Sequence, residues 1–377
     1  MNILVIGHSY VVDSNRQFWN QLAKNENVNV DIIVPNHWSS NLIKTLDYSF
    51  NQNTDTNFRK IYPIDCYFVG NGSKYFYHWS KMIKIFFHNK YDLVFVFQET
   101  WSLSVAQISL LKAISQNRNS LYYIAVCQNI IKKKLKWVIP WEKLITRSVD
   151  RILYCTKEII DVLNWKKLKK KTHFLPFTYD QNIYEFKIKN IDRKKNKEII
   201  IGYMGRLTEE KGISCLIEAC RLLIKENYSI KLLLAGSGPL KDKAADSFVE
   251  YVGTFKHTEA HLFYQRINFF VLPSETRSFW KEQFGRVLVE SVASGTPIIG
   301  SSSGAIPEVL SNLDLDYVFQ EGNASDLTSV IKKLIHDMED INFSIKMEHS
   351  NKLNLQKFSH KSVGRDLVNL TFEDLKI

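Results

Sequence analysis

Short apolar, β-branched runs alternate with longer amphipathic stretches along the 377 residues of this chain. This alternation constrains the fold most strongly, because it is typical of parallel sheets whose strands are joined by covering helices. The strand candidates of the first half are residues 2–7, 30–35, 91–97, 120–126, 150–155 and 172–177. The pattern predicts an α/β protein of the doubly wound type.

The alternation restarts after a basic, polar stretch at residues 186–197. The second series of strand candidates is 198–205, 230–236, 249–253, 267–273, 296–301 and 316–320. Its first helix carries an apolar face at helical spacing, formed by Ile213, Leu216, Ile217, Cys220, Leu223 and Ile224. We therefore predict domains at 1–190 and 191–355, with a C-terminal helix at 356–377 that packs back on the first. Ligands of such domains bind beyond the carboxyl ends of the strands.

Composition excludes several classes of protein. Hydrophobic residues make up 45% and charged residues 24% of the chain, which argues against a disordered or low-complexity protein. We see no run of about 18 apolar residues that would cross a membrane, and the N-terminal MNILVIGHSY reads as a first strand rather than a signal peptide. The odd set of five cysteines without a Cys-x-x-Cys pair predicts buried thiols in a reducing cytoplasm.

Charge is distributed unevenly along the chain. The formal charge is +14 for residues 1–200 and −3 for residues 201–377, and residues 118–171 include the runs KKKLKW (132–137) and WKKLKKK (165–171). Lysines interleaved with tryptophans suit an anionic membrane surface, could suit nucleic acid, and also occur on plain solvated surfaces. We expect no nucleic-acid partner. We expect a cytoplasmic protein, with a peripheral position at the inner face of the membrane as the alternative that these runs suggest.

Standard nucleotide-binding motifs are missing. We find no GxxxxGK[ST] P-loop, and GSGPLKD at 236–242 has the first two glycines of a GxGxxG but not the third, which argues against a dehydrogenase. Asp314-Leu-Asp316 could hold a divalent metal, but its position just before a predicted strand favours a turn. We predict no metal ligands.

Two cations follow the first strand of the second series. Arg206 and Lys211 lie in one loop of MGRLTEEKG, residues 204–212, just before an amphipathic helix. Cations and free backbone N–H groups at the end of a sheet form an anion site, for which a diphosphate is a natural ligand. Surface cations would explain the same residues.

Two glutamates lie eight positions apart in PSETRSFWKEQFGRVLVESVASGTPIIGSSSGAIPEVL, residues 273–310. Glu282 precedes a predicted helix that begins near Phe284, and Glu290 lies within it. The helical rise places the carboxylates about 12 Å apart or less along the axis, a span that resembles a nucleoside diphosphate sugar. Gly285 at the helix start lets a ligand approach the backbone.

The second half of the chain resembles retaining glycosyltransferase family 4. The resemblance rests on GRLTEEKG, LLLAGSGP, YVGTF, EQFGRVLVE and SGTPIIGSSSGAIPEVL, which occur in the family's order and spacing. It implies the GT-B fold, in which two Rossmann-like doubly wound domains face each other across a cleft. The first domain resembles the family more loosely.

The resemblance also implies roles for residues. Arg206, Lys211 and Glu282 would be catalytic, with the two cations on the donor diphosphate and the glutamate on the transferred sugar. The other implied donor-binding residues are Gly205, Gly253, Phe255, Phe284, Gly285 and Glu290. Among them, the backbone at Phe284 and Gly285 would line the sugar or phosphate site, Glu290 would bind ribose, and Gly253 and Phe255 would hold the base.

The first domain departs from the family pattern. It has GHSYVVDSN at 7–15 where members often carry a Gly-rich loop, and AVCQNI at 125–130 where many place a histidine. His8, Gln128 and Asn129 are therefore the candidates for acceptor or phosphate contacts. A histidine such as His8 is as often a purely structural residue.

The resemblance implies a hexosyltransferase that moves a sugar from a UDP- or GDP-linked donor to a hydroxyl acceptor, with retention and without a cofactor. The expected partners are the nucleotide sugar and a glycan or lipid-linked acceptor of polysaccharide or glycolipid biosynthesis. The alternatives are a phosphorylase, synthase or sugar-nucleotide epimerase on the same fold, or a non-catalytic basic membrane-binding protein.

Overall fold

The computed structural model describes residues 1–40, 43–188, 198–241 and 246–375, without the side chains of residues 40, 43, 44, 134, 135 and 341. The chain divides into two compact units, Met1–Pro176 with His360–Ile377, and Phe177–Ser359. The predicted boundary between residues 190 and 191 lies outside the described residues. The second unit begins earlier because the segment after Pro176 contacts it: the Tyr184 ring lies 6.2 Å from that of Tyr264, and the Lys187 N–H donates to the Ser294 carbonyl at 3.3 Å.

A seven-stranded sheet, parallel at every pair of neighbours, forms the centre of the first unit. The strands of this unit are β1 (Asn2–Ile6), β2 (Asn29–Pro35), β3 (His37–Ser40), β4 (Ile43–Asp47), β5 (Lys60–Ile64), β6 (Cys66–Tyr67), β7 (Phe76–Tyr77), β8 (Leu93–Phe97), β9 (Leu121–Val126), β10 (Arg151–Tyr154) and β11 (Lys171–Phe174). The sheet order is β11-β10-β9-β8-β1-β2-β5, while β3–β4 and β6–β7 pair antiparallel. The order reverses between β1 and β8, which makes that edge the topological switch point.

The short pairs β3–β4 and β6–β7 are additions to the predicted strands. The seven-stranded sheet contains all the predicted strands of the first half and one further strand, β5. Its sequence KIYPI contains Pro63, and a proline argues against a central strand because it cannot donate to the ladder. The structure places β5 at the edge of the sheet, next to β2, where a missing donor is tolerated.

Helices cover this sheet. They are α1 (Gln17–Leu22), α2 (Gln52–Asp55), α3 (Trp79–His88), α4 (Leu103–Ile114), α5 (Ile139–Ile145) and α6 (Lys157–Trp165). Short 3-10 turns occur at His8–Val11, Asp13–Arg16 and Lys133–Val138. The Ser102 hydroxyl caps α4 by accepting from the Val105 N–H at 3.3 Å.

The second unit repeats this plan with a six-stranded parallel sheet. Its strands are β12 (Ile199–Met204), β13 (Ile230–Ala235), β14 (Val249–Tyr251), β15 (Phe269–Leu272), β16 (Ile298–Ser301) and β17 (Val318–Phe319). Their order is β14-β13-β12-β15-β16-β17, so the switch point lies between β12 and β15. The two sheets confirm the predicted pair of doubly wound units.

The helices of the second unit are α7 (Ile213–Lys225), α8 (Ala260–Gln265), α9 (Arg286–Ala293), α10 (Ile306–Asn312), α11 (Ala324–Asp337) and α12 (Ile341–His349), with further short turns at Glu209–Lys211, His257–Glu259, Ser350–Asn354 and Leu355–Phe358. Ile213, Leu216 and Leu223 of α7 are buried as predicted, but Ile224 is 37% exposed, so the prediction for Ile224 is wrong. Ile224 lies in the last turn of α7, one residue before the helix ends at Lys225.

The last helix, α13 (His360–Leu375), belongs to the first unit. Its Asp374 carboxylate accepts from the Tyr123 hydroxyl of β9 at 2.6 Å and from Nη2 of Arg151 of β10 at 2.7 Å. Leu367 and Leu370 of α13 are part of the hydrophobic core formed with β1 and β2. The first unit is therefore built from two segments of the chain that are far apart in sequence.

Four of the five cysteines are buried. Cys66, Cys155, Cys215 and Cys220 are buried free thiols, whereas Cys127 is half-buried; the prediction of burial is therefore wrong for Cys127, which follows the last residue of β9 in a loop. Within the described ranges, we find no helix that is both long and apolar enough to cross a bilayer.

Candidate active site

The loops at the switch point of the second unit bring Lys211 and Glu282 together. Lys211 follows β12 and Glu282 follows β15, and Nζ of Lys211 donates to Oε2 of Glu282 at 2.6 Å. The side chains are 14% and 11% exposed. The Ser274 hydroxyl, two residues after β15, donates to the same carboxylate oxygen at 2.9 Å. The carboxylate is thus held from two sides at the position where this sheet type binds ligands.

The backbone of Glu282 is fixed by the turn after β16. The Ala305 N–H donates to the Glu282 carbonyl at 3.1 Å. Gly304 has φ +54°, and a Cβ at this position would lie 2.1 Å from the same carbonyl oxygen. Because any larger residue would push the two segments apart, the glycine of SSSGAIPEVL serves to place Glu282.

Arg206 lies in the same loop as Lys211 but has a different partner. Its guanidinium is 3.5 Å from Glu210 and its side chain is 41% exposed. The Tyr203 hydroxyl donates to the Arg206 carbonyl at 2.7 Å, which fixes the loop backbone. The structure therefore separates the two predicted cations: Lys211 pairs with Glu282 beside the sheet, and Arg206 pairs with Glu210 at a more exposed position.

Glu290 is buried inside α9, with 3% of its surface exposed. The Tyr264 hydroxyl donates to its Oε2 at 3.2 Å, and Nδ1 of His257 lies 3.6 Å from Oε1. Burial and then the Glu290 charge raise the pKa of Tyr264 well above its ordinary value, so this hydroxyl stays a donor. A buried carboxylate that faces a tyrosine and a histidine can accept hydrogen bonds from ligand hydroxyls.

The other predicted donor-site residues follow β12, β14 and β15. The Gly205 N–H donates to the Ala235 carbonyl at 3.0 Å, and the Gly253 carbonyl accepts from the Gly236 N–H at 2.8 Å, so the loops after β12, β13 and β14 lie side by side. The Phe255 ring lies 5.6 Å from that of Phe263.

Phe284 and Gly285 precede α9. The Phe284 side chain is buried, with its ring 5.5 Å from that of Phe177 and 5.9 Å from that of Phe358. This leaves its backbone as the part available to a ligand. Gly285 has φ +76° and is followed by the first helical residue, Arg286, so the helix begins two residues later than predicted.

His8 lies at the switch point of the first unit, after β1. Its Nδ1 accepts from the Gln98 amide at 3.1 Å, and the orientation of that amide is fixed because its oxygen accepts from the Glu99 N–H at 2.8 Å. The imidazole contacts Trp38 and Tyr75 at ring-centre distances of 4.6 and 5.4 Å. Burial lowers the pKa of His8 to about 4, so the ring is neutral at physiological pH.

Gln128 and Asn129 follow β9, the strand next to β8. The Gln128 oxygen accepts from Nζ of Lys166 at 3.0 Å, and this ammonium also donates to Glu142 of α5 at 2.9 Å. The Asn129 amide donates to Glu158 at 3.0 Å. Both candidates are therefore engaged by side chains in or directly after α6, the helix that follows β10, while His8 is engaged by the loop after β8.

The candidate metal motif lies in a turn. Asp314 has φ +58°, and Asp316 pairs with Lys333 at 3.1 Å and Lys346 at 3.3 Å. Across the part of the chain that the structure describes, no group of three or more His, Cys, Asp or Glu side chains is arranged to hold a metal ion.

Sequence reasoning missed several residues of this site. Ser274, His257, Tyr264 and Gln98 contact Glu282, Glu290 or His8 through space. The partners of Glu282 and His8 share one signal, since Ser274 and Gln98 each come within two residues of the end of a parallel strand next to the switch point. The sequence carries no comparable signal for His257 and Tyr264.

Comparison with solved structures identifies the fold. The structure of Anabaena HepE in complex with UDP has a TM-score of 0.70 at 12% identity and covers 98% of this chain and 99% of that one. Sucrose-phosphate synthase from Thermosynechococcus elongatus has a TM-score of 0.67 at 16% identity and covers 100% and 99%. The chain has the GT-B fold of two Rossmann-like domains.

Comparison of sequences finds a family match in the second unit. Residues 184–347 match the family model of glycosyl transferases group 1. The capsular polysaccharide biosynthesis glycosyltransferase CapM of Staphylococcus aureus is 29% identical over 52% of this chain and 51% of its own length. An alpha-monoglucosyldiacylglycerol synthase of Streptococcus pneumoniae is 24% identical over 67% of this chain and 57% of its own. The chain thus matches little more than half the length of these relatives.

Proposed function

We propose that this protein is a retaining glycosyltransferase of family 4, which transfers a sugar from a nucleoside diphosphate sugar to a hydroxyl acceptor. The observation that carries the proposal is the ion pair of Lys211 and Glu282 at the switch point of a group 1 domain. In this pair, a cation that can bind a diphosphate lies 2.6 Å from a carboxylate that can accept hydrogen bonds from sugar hydroxyls. Glu290, buried on the following helix, then binds ribose.

The chemistry follows from the charges. The bond between the anomeric carbon and the diphosphate oxygen breaks, negative charge develops on the leaving group, and the acceptor oxygen bonds to the same face of the sugar. Lys211, Arg206 and the N-terminus of α9 stabilise that charge. The acceptor proton passes to the departing diphosphate. This scheme uses no metal and no cofactor.

UDP is the first donor nucleotide to test, because HepE has the same fold and its structure contains UDP. The acceptor class we propose is a glycan or a lipid-linked sugar of polysaccharide or glycolipid biosynthesis, in line with the names of the relatives. We place acceptor contacts at His8, Gln128 and Asn129 in the first unit.

A thermal-shift panel of UDP- and GDP-sugars tests the proposal. A ligand at 100 times its dissociation constant stabilises the folded state by about 2.7 kcal/mol, which is a shift of several degrees. A panel in which no nucleotide sugar raises the melting temperature would contradict the donor assignment. An epimerase would instead turn over a donor without forming an acceptor product. A phosphorylase would use inorganic phosphate to release a sugar 1-phosphate from a glycan, and a synthase would extend a glucan.

We also propose that the first unit docks on an anionic membrane, where a lipid-linked acceptor resides. Helix α3 exposes Trp79, Ile83 and Phe87 at every fourth position, in a stripe that borders its buried Met82 and Phe86. Helix α4, which lies against α3 and α5, exposes Leu103, Leu110 and Ile114, and the segment around α5 exposes Trp137, Trp141 and Leu144. Exposed cations lie in the same segment as these apolar side chains. We call the following set the basic surface: Lys132, Lys133, Lys136, Lys143 and Arg147.

This combination suits a lipid interface, since tryptophans favour the headgroup region and each nearby cation contributes about 1 kcal/mol towards anionic lipid. Sedimentation with phosphatidylglycerol vesicles measures it. We expect replacement of the basic surface by serine to weaken sedimentation at low salt, and Trp137→Ser, which removes a side chain that is 77% exposed, to weaken it at high salt as well. Absence of sedimentation of the parent protein would leave a solvated surface as the explanation.

A further inference from the structure

The chain between Ser274 and Glu282, residues 275–281, is fastened to the loop that carries Lys211. Here it is called the 275–281 loop. The Glu275 N–H donates to the Glu210 carbonyl at 2.8 Å, and the Arg277 guanidinium reaches the Glu209 carbonyl at 3.5 Å. Arg277 and Trp280 close a tight turn through reciprocal backbone hydrogen bonds at 2.7 and 3.2 Å. The position of Trp280 is thus linked to the position of Lys211.

The indole of Trp280 lies against the ammonium of Lys211. Nζ of Lys211 is 4.5 Å from the ring centre and 2.6 Å from Oε2 of Glu282. A cation at this distance is attracted by the negative face of the indole, which is the strongest of the aromatic rings for this contact. The ammonium therefore has a carboxylate and an aromatic face as neighbours.

We propose that Trp280 is a positioning residue that holds the Lys211 ammonium for the diphosphate of the donor. The inference rests on the proposed function and deepens it. A lysine stem has four rotatable bonds and loses about 2 kcal/mol of rotamer entropy when it is fixed, and the indole limits the orientations available to the ammonium in advance. The ring also displaces water from one side of the charge, which strengthens its attraction to phosphate oxygens.

This role predicts a different ligand dependence from a sugar-stacking role. If Trp280 acts through Lys211, its loss weakens UDP and UDP-glucose by the same factor, because both carry the diphosphate. If the indole stacked on the sugar, UDP binding would not change. The effect of Trp280 must also vanish once the ammonium is gone, which a double-mutant cycle measures.

The experiment is calorimetric titration of UDP and UDP-glucose, with GDP and GDP-mannose used instead if only they stabilise the parent protein. The variants are Trp280→Leu, Trp280→Phe, Lys211→Met and the double variant Trp280→Leu/Lys211→Met. The matched control is Phe279→Leu in the same loop, at a ring that is 73% exposed. Melting temperatures of all variants report whether the second unit remains folded.

We expect Trp280→Leu to weaken both ligands by about 3- to 30-fold and to lower turnover. Trp280→Phe should retain most of the parent protein's affinity for both ligands, and Phe279→Leu should bind them as tightly as the parent protein does. In the Lys211→Met background, Trp280→Leu should add nothing. Unchanged UDP affinity in Trp280→Leu, or an undiminished effect without Lys211, would overturn the inference while the proposed function stands. A parent protein that binds no nucleoside diphosphate would overturn both.

Discussion

Replacing Glu282 by glutamine tests the two ends of the donor site most directly. The substitution keeps the shape of the side chain and removes its charge. The amide oxygen of the variant can still accept from the Ser274 hydroxyl and the Lys211 ammonium, which lie 2.9 and 2.6 Å from the carboxylate oxygen in the parent protein. The expected change is therefore electrostatic, and we expect the second unit to remain folded.

The size of the effect follows from the contacts. A hydrogen bond between a charged group and a sugar hydroxyl contributes about 1.5–3 kcal/mol. If this contact tightens as the ring flattens, Glu282→Gln lowers turnover by roughly 10- to 150-fold. Affinity for sugar-free UDP should be unchanged or tighter by up to about tenfold, because the carboxylate no longer competes with the diphosphate for Lys211.

Glu290→Gln should give the opposite pattern. Its carboxylate is 3% exposed and would hold ribose, which does not change during the reaction. We expect UDP binding to weaken by roughly 10- to 150-fold and the donor KM to rise, with little change in turnover at saturation. Glu348→Gln, at a half-exposed side chain of α12, is the matched control.

Calorimetry with UDP and steady-state kinetics with the donor separate these outcomes. The reasoning is refuted if Glu282→Gln weakens UDP as strongly as Glu290→Gln does, because the carboxylate at the switch point would then be the one that binds the nucleoside. Equal and small effects of both substitutions would show that the donor does not bind at this part of the second unit.

Further predictions concern charge, metal and pH. Arg206→Ala and Lys211→Ala should each lower turnover at least about tenfold with folding preserved, and full turnover in both would remove the diphosphate assignment. Activity should persist in excess EDTA; complete loss that Mn²⁺ or Mg²⁺ restores would contradict a metal-free mechanism. Because burial lowers the pKa of His8 to about 4, the unfolded chain binds this proton more tightly, so stability should fall as pH drops from about 6.5 towards 4. Denaturant midpoints should fall less over that range in His8→Gln, and equal slopes would show that His8 does not contribute.

The fold and its ligand-binding edge could be predicted from the pattern of apolar runs. The buried strands β1, β12 and β15 are continuous apolar segments, and such runs identify parallel sheets. Because the chemistry-bearing residues of a parallel sheet follow its strands, the sequence alone is enough to single out the loops with Lys211 and Glu282. The position of each residue along the chain carried this information.

Contacts made through space could not be predicted in this way. Trp280 and Ser274 reach Lys211 and Glu282 because an irregular loop folds back, and irregular segments have no period to read. The start of the second unit was missed for the same reason, since Phe177 and Tyr184 lie in a segment without strand or helix. The exposure of Trp79, Ile83 and Phe87 on α3 could not be predicted either, because the sequence does not show which apolar residues of a helix the rest of the unit covers.

Helix α13 is synthesised last although it belongs to the first unit, and this order affects folding of the chain on the ribosome. The first unit lacks this helix until residues 360–375 have been made, whereas the second unit is one continuous segment, Phe177–Ser359. At about 5–20 residues per second, translation of the intervening segment takes roughly 10–40 s. During that time Tyr123 and Arg151 lack their partner Asp374, and part of the apolar core around β1 and β2 is uncovered. The nascent first half should therefore be the substrate for chaperones, and the second half should be the first to resist proteolysis.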